Sequence, residues 1–133
     1  VTTIDAIRSN PLIDEAAAER IATLWNAAYP GMRELLTTVI DGQRSYLNEH
    51  PDSSVRAEIK RHEETRLALG QLDRGTYRGC TRSPGMFDTW GALSAIKRLP
   101  MPTGSKHGGN VYRLAAELSD IEAARAAALA ANA

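Results

Sequence analysis

The chain has 133 residues, enough for one compact domain with at most an appended helical arm. Its hydrophobic content of 43% excludes a disordered chain, and the 5% aromatic share leaves most of the core to Leu, Ile, Val and Ala. Sixteen Lys+Arg balance sixteen Asp+Glu, which excludes a uniformly basic or acidic protein but not one whose charge is unevenly placed.

The charge is in fact segregated. From Arg74 to Arg113 the basic residues are Arg74, Arg78, Arg82, Lys97, Arg98, Lys106 and Arg113, and Asp88 is the only acid, so this segment carries +6 and the remainder −6. A single cysteine, Cys80, excludes an intrachain disulfide and a multi-cysteine zinc site. No apolar run approaches the roughly 20 residues needed to span a bilayer, and the N-terminal residues lack the basic start and apolar stretch of a signal peptide. These features predict a soluble, cytoplasmic protein.

In chain order, Asn10-Pro11 predicts a helix start, because Asn can accept from free first-turn N–H groups and Pro at the first helical position loses only an unpaired N–H. Ile13, Ala17, Ile21, Leu24 and Ala28 then recur at spacings of three and four, forming one apolar stripe. Pro30-Gly31 predicts the end or a sharp bend of this helix. A second helix is expected over 32–47 with Met32, Leu36, Val39, Gln43 and Leu47 as its stripe, closed by the polar turn 48–54. A third, starting near Asp52 to Ser54 and reaching about Asp73 through Val55, Ile59, His62, Leu69 and Leu72, should fold back on the second as an antiparallel hairpin. Gln43 and Arg66 fall near that seam and weaken its coiled-coil character.

Residues 74–89 hold Gly75, Gly79, Pro84 and Gly85, which predicts a turn-rich loop. Asp88-Thr89 can cap a short helix from Trp90 to about Arg98 carrying Leu93, Ile96 and Leu99. Beyond Pro100 and Pro102, the run 104–109 has hairpin chemistry, and Val111-Tyr112-Arg113-Leu114 alternates like a short strand. Ser119-Asp120-Ile121-Glu122 matches a capping box opening a final Ala-rich helix. The expected fold class is therefore mainly α: a helical hairpin plus short helices, with a small β-hairpin near the C-terminus. Three regions are expected: helical 1–73, a basic Gly-rich module at 74–116, and a C-terminal helix at 117–133.

No enzyme signature is complete. His62-Glu63-Glu64-Thr65-Arg66 begins like a zinc-protease helix, but Arg66 stands where the second His is required. Gly104-Ser105-Lys106 lacks the leading Gly of a phosphate loop, where Leu99 stands. Cys80 lies between Arg78 and Arg82, which would favour its thiolate, yet no obvious base accompanies it, and a small buried thiol is the expected role. His50, His62 and His107 lie on three separate segments. No enzyme activity, cofactor or metal is expected.

The basic segment interleaves its cations with Tyr77, Trp90 and Tyr112, a composition suited to phosphates with rings packing on sugars or bases. The alternative is a solvated face neutralised by the protein's own acidic helices. The order of short helix, hairpin and strand also resembles the recognition helix and wing of a winged-helix DNA-binding domain. That resemblance implies that Thr89, Ser94, Lys97 and Arg98 face duplex DNA, with Lys106, His107 and Arg113 on or beside the wing. Arg74, Arg78 and Arg82 would add backbone contacts.

A second resemblance rests on residues 68–80, whose spacing Ala-Leu-x-x-Leu-x-x-Gly-Thr-Tyr-x-x-Cys is similar to the junction between coiled coil and zinc finger in the DksA/TraR family of RNA polymerase regulators. Asp52-Ser53-Ser54-Val55-Arg56-Ala57 resembles that family's tip motif, and Leu99-Pro100 a Leu-Pro pair before the second half of the finger. The chain departs from the pattern where Ser83 replaces the second zinc cysteine, where no Cys follows Pro100, and where Val55 replaces the second tip Asp. The resemblance implies a zinc-less relative in which Asp52 and Ala57 touch the polymerase. Both resemblances point to a non-enzymatic, transcription-associated regulator with duplex DNA or RNA polymerase as partner. The other class is a helical structural or assembly protein of phage or plasmid type, a homo-oligomer whose oppositely charged faces meet between subunits.

Overall fold

The computed structural model describes residues 3–8, 10, 13–77, 87–100 and 108–131. Among them are five helices: α1 (Thr3–Arg8), α2 (Glu15–Glu49), α3 (Val55–Arg74), α4 (Thr89–Lys97) and α5 (Gly108–Ala131). No strand occurs among the described residues.

Helix α2 organises the molecule. At 35 residues it is about 52 Å long at ~1.5 Å per residue, and it packs against α1, α3 and α5. Its buried stripe is wide where it has three partners, through Ala17, Ala18, Ile21, Ala22, Trp25 and Ala28. It narrows to Leu36 and Ile40 toward the far end. Helix α4 bridges α3 and α5. One core results, with Ile7 from α1, Ile59, Leu69 and Leu72 from α3, Leu93 and Ile96 from α4, and Val111, Leu114 and Leu118 from α5. At its centre the fully buried Trp25 stacks on Tyr29 at 5.5 Å and meets the edge of Phe87 at 5.1 Å. The indole N–H donates to Asp73 Oδ1 at 2.8 Å, so the core's largest side chain is polar-satisfied as well as packed.

The expected break at Pro30-Gly31 does not occur, and the first two expected helices are one. Pro30 is exposed, as are Asn26 and Ala27 on the preceding turn, so the carbonyl that loses its helical donor faces water. Gly31 and Met32 meanwhile are buried in the core, and their packing keeps the helix continuous against the local cost of about 3 kcal/mol. The start also moves. Asp14, not Asn10, caps α2 by accepting from Ala17 N at 2.8 Å. Asn10 is buried instead, and its Nδ2 donates to the Phe87 carbonyl at 3.0 Å, tying the N-terminal region to the entry of α4.

The α2/α3 hairpin forms as expected, joined by the turn at 50–54. Polar pairs flank its seam beyond Ile40: Gln43 Nε2 donates to Glu58 at 3.1 Å, Gln43 Oε1 meets His62 Nδ1 at 3.0 Å, and Arg44 pairs with Glu63. Buried Ile59 lies nearer the tip than His62, and the partly buried Leu47 and Val55 carry the apolar seam on to the turn. At the other end α3 stops at Gly75, whose φ of 71° only glycine adopts cheaply. Gly75 N donates to the Leu72 carbonyl and Thr76 N to the Gln71 carbonyl at 2.8 Å, the paired bonds of a Schellman ending.

The C-terminal half departs most from expectation. Val111–Leu114, expected as a strand, lies in α5, because Val111, Leu114 and Leu118 recur at spacings of three and four and all three are buried. A four-residue alternation is compatible with both periods, and the burial of Leu118 decides for the helix. Residues 104–107 of the expected hairpin lie outside the described residues. The expected capping box is also interior to α5: Ser119 is exposed mid-helix, and Glu122 accepts from Thr89 Oγ1 at 2.7 Å. Helix α5 therefore runs unbroken through 116–117, where a boundary between the basic module and the last helix was expected.

Candidate nucleic-acid interface

The centre of the basic segment is α4. Asp88 caps it, accepting from Gly91 N at 2.8 Å, and Asp88 itself is only 2% exposed. The segment's one acid is thus withdrawn from the surface. Of the nine residues of α4, Thr89, Gly91, Ala92, Leu93, Ala95 and Ile96 are buried. The remainder, Trp90, Ser94 and Lys97, recur at spacings of four and three and form one solvent-facing stripe. Arg98 extends it: its Nε donates to the Ser94 carbonyl at 3.2 Å, which lays the guanidinium along the last turn. Trp90 is 50% exposed, in contrast to the fully buried Trp25.

Thr89, expected on the DNA-facing side, is buried and bonded to Glu122 on α5, so its role is to fix α4 against α5. Trp90 takes its place on the exposed face; the four-and-three spacing back from Lys97 and Ser94 is the sequence signal for it. Arg74 is exposed at the end of α3, and Arg113 is exposed on α5 next to Tyr112, which is 67% exposed. Arg78, Arg82, Lys106 and His107 lie outside the described residues, as do Cys80 and Ser83.

Ion pairs engage some of the cations outside the basic segment. Arg8, Arg20, Arg44, Lys60 and Arg125 each form an ion pair, with Glu19, Glu117, Glu63, Glu64 and Glu122 respectively. Arg74, Lys97, Arg98 and Arg113 form none among the described residues. Arg33, Arg56, Arg61 and Arg66, outside the segment, likewise form no ion pair among the described residues, so what sets the described cations of the basic segment apart is a stretch of chain whose one acid is buried.

The hairpin tip carries the other expected contact residues. Asp52 and Ala57 are both exposed, on either side of the start of α3. Nearby, Tyr46 is exposed and stacks on His50 at 4.3 Å. Of the junction motif at 68–80, Leu69 and Leu72 are core residues, Gly75 ends α3, and Tyr77 is buried against Gly91. The described part of that motif is accounted for by helix termination and packing.

Elsewhere, a cleft of about 400 Å³ between α2 and α5 is lined by Ala17, Ile121, Ala124 and the already paired Arg20, Glu117 and Arg125. No group of three His, Cys, Asp or Glu among the described residues is placed to hold a metal ion, and no described helix is long and apolar enough to cross a membrane. No protein-family model, curated protein or solved structure matches this chain.

Proposed function

We propose that this protein is a non-enzymatic, transcription-associated regulator that binds nucleic acid through its basic segment. The observation that carries the reading is the exposed, acid-free stripe of α4, with Asp88 buried as a cap and Lys97 and Arg98 in no ion pair among the described residues. Lys and Arg outside ion pairs can neutralise backbone phosphates and release the cations condensed on the nucleic acid, and that release drives binding. The same cations, locked in ion pairs, would contribute little.

The test is nucleic-acid binding by anisotropy at about 50 mM and 200 mM salt, beside a variant with Lys97, Arg98 and Lys106 changed to Ala. Affinity should fall steeply with salt, and the variant should bind more weakly with a shallower salt slope. Absence of binding at the lower salt refutes the proposal. Salt-sensitive self-association without nucleic-acid binding would favour the assembly reading instead.

The projecting hairpin supports a second reading, in which the exposed tip with Asp52 and Ala57 contacts RNA polymerase. A hairpin whose seam is held to its tip by apolar contacts and side-chain hydrogen bonds can enter a protein channel without unfolding. Polymerase binding that is lost on Asp52→Ala supports this; binding indifferent to it removes the reading's main content.

A further inference from the structure

The side chains on the exposed stripe of α4 constrain which nucleic acid it fits. Helix α4 is fixed against the body. Six of its nine residues are buried, its first residue is bonded to Glu122, and the Tyr77 ring lies over Gly91. What solvent meets of α4 is the stripe of Trp90, Ser94 and Lys97. At one end is the half-exposed indole of Trp90, and roughly 10 Å away, seven residues on at ~1.5 Å each, are Lys97 and the folded-back Arg98.

We infer that this strip is a binding site for single-stranded nucleic acid, in which Trp90 stacks on an unpaired base while Lys97 and Arg98 engage backbone phosphates. The inference rests on the nucleic-acid reading above and narrows its ligand. A ring beside cations is the combination that single strands use, because every unpaired base offers a π-face and every nucleotide a phosphate. In a duplex the base faces are already stacked, and only the cations would find partners. The separation of ring and cations, one to two nucleotides of an extended strand, lets both act on one chain.

The two tryptophans supply the assay. Trp25 is fully buried and Trp90 half exposed, so quenching of intrinsic fluorescence by a nucleic acid reads Trp90. Titrations would use oligothymidylate and oligouridylate of ~12 nucleotides and a duplex of matching length. The expected result is quenching by the single strands with affinity at least tenfold above the duplex. Equal affinity for the two single strands places recognition in base and phosphate; a preference for oligouridylate adds the 2′-hydroxyl. Trp90→Ala, followed by anisotropy, should weaken single-strand binding roughly five- to 150-fold, the range expected for one lost stacked base, while leaving duplex binding nearly unchanged. Trp90→Phe, which keeps a ring on the same backbone, should retain most of the affinity. Lys97→Ala with Arg98→Ala should weaken both ligands. Duplex binding equal to or tighter than single-strand binding overturns the single-strand site and leaves the basic-strip reading standing, as does single-strand binding unaffected by Trp90→Ala. No binding of any probe overturns both.

Discussion

The packing of α4 makes an unusually local prediction at Gly91. A Cβ placed there would lie 2.5 Å from Tyr77 Cε1, 2.7 Å from Cζ and 2.9 Å from the hydroxyl. Ordinary carbon contacts sit at about 3.5–4.0 Å, so Gly91→Ala requires ring and helix to separate by roughly 1 Å. Tyr77 is buried, and Gly91 N is held by Asp88, so neither side yields freely. Overpacking of this kind costs about 1–3 kcal/mol, against which the better helix propensity of Ala returns at most ~1 kcal/mol. A net loss of about 1–2 kcal/mol follows, seen as a lower urea midpoint with unchanged slope. Gly42 provides the internal control: it is exposed in α2, and a Cβ added to it meets nothing within 4 Å, so Gly42→Ala should stabilise by up to ~1 kcal/mol. The same substitution thus has opposite signs at two helical sites. If Gly91→Ala is as stable as the parent, the close approach of Tyr77 to α4 is not a constraint and the reasoning fails.

Two further changes probe the core. Pro30→Ala restores a backbone donor within α2 and should raise stability by about 1–3 kcal/mol in chemical denaturation; no gain would mean that the chain is not helical through this position. Trp25→Phe removes the donor to Asp73 and part of the contact with Tyr29 and Phe87, and calorimetry should show a loss of about 2–4 kcal/mol. A loss under ~1 kcal/mol would show that the indole hydrogen bond contributes nothing net.

Much of the helical architecture is legible in the residues. The stripes through Ile13–Ala28, Val55–Leu72 and Leu93–Leu99 are periodic enough to identify buried faces, and the turn at 50–54 between two such stripes implies the hairpin. The Asp88 cap is equally local, since an N-cap needs only its own side chain and the next turn. Where expectation failed, a local signal competed with a distant partner. Pro30 signals a break, yet the buried Gly31 and Met32 on one side and water on the other let α2 continue. Val111–Leu114 fits strand and helix alike over four residues, and packing of α5 on α2 and α4 selects the helix. Asn10 has the chemistry of a cap, but a carbonyl 77 residues away at Phe87 claims its side chain.

The candidate site divides the same way. Sequence alone determines that the charge is split into +6 and −6 segments and that rings accompany the positive one, because charge and composition are carried by the chain however it folds. Which cations are neutralised, and which ring shares their face, depends on distances between residues far apart in sequence. Only the tertiary structure decides that Arg8, Arg20 and Arg44 pair with Glu19, Glu117 and Glu63, that Thr89 turns inward to Glu122, and that Trp90, Lys97 and Arg98 share the exposed side of α4. The physical reason is that packing of α4 against α3, α5 and Tyr77 selects one stripe of the helix for solvent, and that selection is made by its neighbours.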